Sequence, residues 1–256
     1  MDRSILVKLF GWRAALTHDG PTMLDRWRFV KRHMPRTKNP ERVFDVGCGT
    51  GAYTVALAKR GYIATGLSWD ERNQRVALER AALSAACAEF PVGDAKQLNT
   101  MTEHQGAYEY VLSLENIEHI VGDRKLIRDL AACLKPGGWL LLSTPNKDYR
   151  ALWWMDRGPF VMEDHGWHVR RGYSREMLRE LCEDAGLRLE EMGSCSGFLS
   201  QKLSVPQRYW GVVGWLLTLP LIWMPALFDR PIRRLTGWPD YSLTMVAYKP
   251  RFPTRA

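Results

Sequence analysis

The 256-residue sequence predicts an α/β fold: a seven-stranded, doubly wound, mostly parallel sheet with helices before it and an apolar helical insertion ahead of the last strand. Three observations predict this. From residue 42 onward, short apolar runs alternate with helical patterns, the signature of strands joined by crossover helices. A glycine-rich loop follows the first run directly. The final apolar run, 242–248, comes after a long uncharged stretch, so one strand returns late to the sheet.

The elements follow in order. Residues 4–17 and 22–34 read as two helices parted by Asp19-Gly20-Pro21, the first amphipathic and basic. A strand at 42–46 leads through the glycine loop into a helix that stops at Gly61. A strand at 62–67, a helix at 71–86 and a short strand at 88–92 ending in Gly93-Asp94 come next. The strand at 108–114 precedes a helix at 123–134, with Asp123 as its cap. Lys135-Pro136-Gly137-Gly138 reads as a turn before the strand 139–144. Ser174 caps a helix ending at Gly186, Leu187 opens a sixth strand, and Ser242–Tyr248 is the seventh. This divides the chain into an N-terminal helical cap (1–40), a core (41–200), an apolar insertion (201–240) and a last strand with its tail (241–256).

Composition narrows the class. With 46% hydrophobic and 25% charged residues the chain is globular. Cys48, Cys87, Cys133, Cys182 and Cys195 are odd in number and scattered, which points to free thiols in a reducing compartment and away from a disulfide framework or zinc knuckle. The N-terminus lacks a long apolar core, so a cytoplasmic protein is expected. The net charge of +8 suits anionic lipid, nucleic acid or simple solubility alike.

Ligands of doubly wound sheets bind beyond the carboxyl ends of the strands, where the glycine loop stands. Gly47-x-Gly49-x-x-Ala52 fits a dinucleotide fingerprint, but Asp45 two residues earlier and Gly51 as third glycine favour a ligand with a cationic ammonium and no pyrophosphate. The stretch Val43 to Gly51 resembles the first motif of the class I, Rossmann-like S-adenosylmethionine-dependent methyltransferases. Gly93-Asp94-Ala95 is similar to that family's adenine-contacting turn, and Leu134 to Gly138 to its motif before the fifth strand. The resemblance implies S-adenosyl-L-methionine as cofactor, held by Asp45, Gly47, Cys48, Gly49, Gly51, Asp94, Ala95 and Leu114. In one departure, Ser68 stands where the family usually has a ribose-binding acid at the end of the second strand. Ser68, with Asn73 or Gln74, is expected on the ribose, and Trp69 either on the adenine or in the core.

After the fourth strand, Glu115-Asn116-Ile117-Glu118-His119 brings two carboxylates and an imidazole onto one face of a helical turn. The segment resembles the E-x-x-E-H of the ubiquinone-biosynthesis O-methyltransferases and of small-RNA 2′-O-methyltransferases, both of which use a divalent ion. That resemblance implies Glu115, Glu118 and His119 as catalytic residues and metal ligands, with His165 as a further ligand and His168 its alternative. Without a metal, His119 alone would serve as general base. The segment 145–174 is long for a connection; Trp153, Trp154, His168, Arg170 and Tyr173 are expected to wall the substrate.

Seven of the eleven tryptophans follow residue 150. From Tyr209 to Phe228 there is no charge, a length able to span a bilayer. Pro220 and Pro225 break it, however, and the last strand must rejoin the sheet that Leu187 enters, which forbids one crossing. The alternatives are a peripheral insertion with Trp210, Trp215 and Trp223 at interfacial depth, flanked by Lys202, Arg208, Arg230, Arg233 and Arg234, or a buried cap or dimer interface. The expected function is O-methylation of a hydrophobic or lipid-linked small molecule or glycan at the inner membrane face. A nucleic-acid 2′-O-methyltransferase and a non-catalytic membrane scaffold are the alternatives.

Overall fold

The computed structural model of the chain describes residues 4–18, 20–150 and 168–251. Its strands are β1 (Arg42–Val46), β2 (Ile63–Leu67), β3 (Ala88–Glu89), β4 (Tyr108–Leu114), β5 (Leu134–Pro145), β6 (Arg188–Cys195) and β7 (Ser242–Tyr248). They form one sheet in the order β3-β2-β1-β4-β5-β7-β6. The pairs among β1 to β5 are parallel, while β7 runs antiparallel to both β5 and β6.

Alternation along the strands feeds two cores. Phe44, Val46, Val111, Leu140 and Leu142 pack on one face against α5 (Asp123–Cys133) and α6 (Arg175–Asp184). Val43, Leu112, Leu114 and Leu141 pack on the other against Trp27, Val30 and Met34 at the end of α2 (Pro21–His33) and against α3 (Ala52–Ala58). Between β2 and β3 runs α4 (Glu71–Leu83), whose N-cap Asp70 accepts from the Arg72 amide. The first helix is shorter than expected: α1 covers Ile5–Phe10, and Gly11 then turns the chain into a 3-10 segment, Trp12–Leu16.

Two other local expectations are corrected. Lys135 to Gly138 is not a turn; β5 already pairs at Leu134↔Tyr108 and shifts register before Tyr110↔Trp139, so the glycines serve a bulge. Asp123 is not the cap of α5, since Gly122 holds that position and the Asp123 carboxylate binds Arg170 and Tyr173.

The insertion folds as α7 (Phe198–Trp210), α8 (Val212–Thr218) and α9 (Met224–Thr236). Gly211 turns α7 into α8, Pro220 lies in the 3-10 break at Leu219–Leu221, and Pro225 opens α9. The prolines thus interrupt the apolar run where the sequence suggests. Among the described residues no single helix is long and apolar enough to cross a membrane; Val212–Leu221 and Met224–Thr236 qualify only as a pair bent by 74°.

The N-cap of α7 is Gly197, which has no side chain to cap with. Asp229 of α9 does so instead, its Oδ1 accepting from the Leu199 amide at 2.6 Å and its Oδ2 from the Ser200 amide at 3.2 Å. Asp229→Ala is expected to cost about 1–2 kcal/mol, the usual range for a lost N-cap. Thermal unfolding checks this, with Asp229→Asn, which keeps one acceptor, losing less.

Candidate active site

At the carboxyl edge of the sheet two cavities lie side by side. The first, about 560 Å³, is lined by the glycine loop, Asn73 and Leu114 below and by Ile5, Leu6, Met23, Val212 and Trp215 above. The second, about 470 Å³, is lined by Glu115, Glu118, His119, His168 and Tyr241 with Ser204, Val205, Arg208 and Tyr209. His18, Arg26 and Gln207 line both.

The loop owes its shape to close packing. At Gly47 φ is +81°, and a Cβ there would stand 2.5 Å from Cγ of Asn116. At Gly51 φ is +72°, and a Cβ would meet Ala77 and Phe90 at 2.7 Å. Gly51 therefore lets α3 approach α4 and does not line the first cavity. Gln74, fully buried, staples the loop: its Nε2 donates to the Gly66 and Pro91 carbonyls, and its Oε1 accepts from the Cys48 thiol.

Asp45 is 2% exposed and accepts from Thr54 Oγ1 at 2.7 Å. Burial pushes its carboxyl up to about 6, against hydrogen bonds from Thr54 that pull it down. A buried acid beside a glycine loop suits a ligand that brings its own positive charge.

Of the cofactor residues expected from the sequence, Asp45, Gly47, Cys48, Gly49, Asn73 and Leu114 line the first cavity. Ser68, Trp69, Asp94 and Ala95 do not. Ser68 is buried, and its Oγ accepts from the Asp70 amide at 3.3 Å. Asp94 caps the turn after it by accepting from the Lys96 amide, and Ala95 joins the core. Trp69 is 62% exposed, which excludes the core alternative.

The E-x-x-E-H segment enters the second cavity, but its carboxylates part company. Glu115 has φ +51°, rare for a residue with a side chain. Its Oε1 accepts from Ser143 Oγ at 2.9 Å, and its Oε2 stands 3.6 Å from Arg26 Nη1. Burial alone would weaken the Arg26 charge, yet the Glu115 carboxylate holds the guanidinium more firmly protonated than usual. Glu118, 1% exposed, accepts from Thr144 Oγ1 at 3.1 Å. Burial, and then the nearby Glu115 charge, push its carboxyl well above the ordinary carboxylate range.

His119 Nε2 stands 3.9 Å from Glu118 Oε1, and the His119 and His168 rings meet edge to face at 4.5 Å. Glu118, His119 and His168 offer ligand atoms within 4.8 Å of one another. The structure thus groups His168, not Glu115, with Glu118 and His119. His165, Trp153 and Trp154 lie outside the described residues.

Arg170 and Tyr173 are turned to another use. Arg170 Nη1 binds Asp123 at 2.8 Å and also the Tyr173 hydroxyl, which donates to Asp123 at 3.0 Å. Tyr173 is fully buried, and neither residue lines the cavities. Together with the Val169 amide, which donates to the Glu118 carbonyl at 2.9 Å, they anchor the segment that presents His168.

Sequence reasoning missed His18, Arg26, Gln207 and Tyr241. Each comes from an element distant in the chain, and no local spacing marks it. Tyr241 precedes β7, and burial pushes its hydroxyl up, so it stays protonated in the wall.

Residues 18–192 match the family described as Methyltransferase domain, and the chain belongs to that family of class I S-adenosylmethionine-dependent methyltransferases. A ubiquinone biosynthesis O-methyltransferase of Bordetella avium is 35% identical over 107 residues, 42% of this chain and 44% of that one. Another, of Coxiella burnetii (strain RSA 331 / Henzerling II), is 29% identical over 168 residues, 64% of this chain and 70% of that one. Among solved structures, a SAM-dependent methyltransferase from Methanosarcina mazei aligns with TM-score 0.57 at 17% identity, covering 84% of this chain and 95% of its own. The cyclase SpnF aligns with TM-score 0.60 at 20% identity, covering 88% and 80%. These two show the fold alone. Helices α7 to α9 and strand β7 lie beyond the family match.

If Asp45 receives the cofactor's ammonium, as its place in the wall of the first cavity suits, it must be ionised to do so. Below about 6 the Asp45 carboxyl takes up a proton and the attraction is lost. Its folded-state value lies above the unfolded one, so the ligand-free fold loses stability as pH rises through that window, while cofactor affinity grows. Calorimetric titration with S-adenosylhomocysteine should show affinity rising several-fold from pH 5 to pH 7. In Asp45→Asn that rise should disappear.

Proposed function

We propose that the protein transfers the methyl group of S-adenosylmethionine to a hydroxyl of a hydrophobic, membrane-partitioned small molecule or lipid-linked acceptor. The observation that carries this is the second cavity: it abuts the cofactor cavity, contains an imidazole beside a buried acid, and is walled by the insertion. The similarity to O-methyltransferases of ubiquinone biosynthesis supports oxygen as the target atom.

The chemistry needs a deprotonated oxygen in line with the sulfonium. As the O–CH3 bond forms, the CH3–S bond breaks and its electron pair returns to sulfur, leaving neutral thioether. Without an ion, the acceptor proton goes to His119, where the neighbouring Glu118 offsets the imidazolium charge. Arg26, already paired with Glu115, stands on the wall shared by both cavities.

A divalent ion is the alternative device for the same deprotonation, with His119 then a ligand and not the base. Two imidazoles and a carboxylate form a donor set that suits such an ion, and a neighbouring cation would favour the ionised form of Glu118 that burial disfavours. Glu118, His119 and His168 would hold the ion, which would lower the pKa of the bound hydroxyl.

Peripheral membrane contact is supported by the outer face of the insertion. Trp210, Val213, Leu216, Leu217, Trp223, Leu227 and Phe228 are exposed, as are Leu9 and Phe10 of α1. The two regions adjoin, for the Phe10 and Trp215 rings meet at 5.4 Å, tilted by 50°. Exposed arginines, Arg208, Arg230 and Arg234, flank this apolar face and match anionic headgroups. An acceptor dissolved in lipid would then enter from the membrane side.

Transfer of labelled methyl from S-adenosylmethionine into a solvent-extracted lipid fraction tests the chemistry. His119→Ala should lower the rate by about 10²–10⁴-fold while S-adenosylhomocysteine binds as before. An equal fall in His168→Ala and on chelation, restored by added divalent ion, supports the metal; a fall in His119→Ala alone leaves His119 as base without it. Co-sedimentation with vesicles containing anionic lipid tests location. Binding should weaken with salt and in Trp210→Glu/Leu217→Glu, and absence of binding by the wild-type chain would refute membrane contact.

A further inference from the structure

Gln207 sits on α7, in the insertion beyond the family match, yet it lines the cofactor cavity and the acceptor cavity together. It is 7% exposed. Its carboxamide is held by one end only: Nε2 donates to Thr218 Oγ1 at 3.0 Å. The Thr218 hydroxyl in turn donates within α8, to the Gly214 carbonyl at 2.9 Å and the Trp215 carbonyl at 3.2 Å. With its proton so engaged, Thr218 can only accept from Gln207, which fixes the amide with nitrogen toward Thr218.

The other end, Oε1, is buried with no hydrogen-bond partner. Leaving a buried acceptor unmet costs about 1–3 kcal/mol. Such an atom in the wall of a ligand cavity is available to a donor on the ligand.

We propose that Gln207 is a cofactor-binding residue, its Oε1 accepting a hydrogen bond from the α-ammonium of S-adenosylmethionine. The same cavity offers Asp45 for that charge, and the ammonium has three donors to distribute. Among the other polar groups of that cavity, Arg26 has only donors and is already paired with Glu115, so it offers the ammonium no acceptor, whereas the carboxamide oxygen complements the acid. The inference makes the insertion part of the cofactor site, closing over the amino-acid end of the ligand. It rests on the assignment of the first cavity to the cofactor.

Two ligands separate this from a packing role. S-adenosylhomocysteine carries the ammonium; 5′-methylthioadenosine has the same nucleoside and thioether without the amino acid. Gln207→Leu should weaken S-adenosylhomocysteine by roughly tenfold, the size of one hydrogen bond to a charged group, and leave 5′-methylthioadenosine within twofold. Gln207→Glu keeps an acceptor there and should bind S-adenosylhomocysteine at least as tightly as the parent chain. Equal weakening of both ligands would overturn the proposal in favour of cap packing, and so would no change in either. If the leucine variant fails to fold, Thr218→Val, which frees the carboxamide from its anchor, must weaken S-adenosylhomocysteine selectively. Failure of the wild-type chain to bind either ligand would instead count against the cavity assignment.

Discussion

The site depends on one topological constraint: β6 and β7 meet at the same rung. Cys195, the last residue of β6, is the register partner of Ser242, the first of β7, and Ser242 also pairs with Pro145 at the end of β5. Everything from 196 to 241 therefore leaves and re-enters the sheet at one point on its carboxyl edge. Chain so tethered has to stay where the ligand binds. It cannot form a remote domain or make one crossing of a bilayer, and its helices become a lid over the two cavities. The capping of α7 by Asp229 and the close approach of α8 to α7 at Gly214, where a Cβ would stand 2.1 Å from the Pro206 carbonyl, hold that lid in one shape.

Beneath the lid the charges are arranged in opposite senses. Asp45 and Glu118 are both buried acids raised by desolvation, but they wait for different partners. Asp45 meets the neutral hydroxyl and backbone of Thr54 and suits a cationic ligand. Glu118 stands with His119 and His168, where a cation can arise by proton transfer or by metal binding. Between them Glu115 and Arg26 neutralise each other, so that the wall common to both cavities bears no net charge of its own. That separation suits a reaction in which positive charge leaves the sulfonium on one side while a proton is taken up on the other.

How much of this is legible in the sequence depends on how local each device is. The Asp45–Gly51 stretch is strand, turn and helix in sequence, and its glycines report backbone geometry directly, so the cofactor loop was readable; even so, Gly51 proves to serve helix packing. The Glu118–His119 contact is likewise local. Arg170 and Tyr173 show the limit: an arginine in a long connection looks available for a ligand until its partner, Asp123, is known. Asp123 in turn looked like a helix cap for the same reason. His18, Arg26, Gln207 and Tyr241 reach the site through tertiary packing of the two chain ends, which periodicity does not encode.

The apolar stretch after Arg208 presented a choice between a cap on the active site and a membrane-facing segment. The helices do not force that choice. Gln207, Val212 and Trp215 turn inward to the cofactor cavity, while Trp210, Val213, Leu216 and Leu217 from the same two helices stay exposed outward. An amphipathic helix buries one stripe, and the broken geometry at Gly211 and Pro220 gives each short helix its own inner and outer side. The uncharged composition that suggests a bilayer span arises because both sides are apolar, one against ligand and core, the other against whatever meets the surface. Since solved neighbours of this fold include a cyclase as well as methyltransferases, the sheet does not choose the acceptor. Under the proposed function acceptor choice would fall to the lid, the part of the chain outside the family match, which brings Ser204, Val205, Arg208 and Tyr209 to the second cavity.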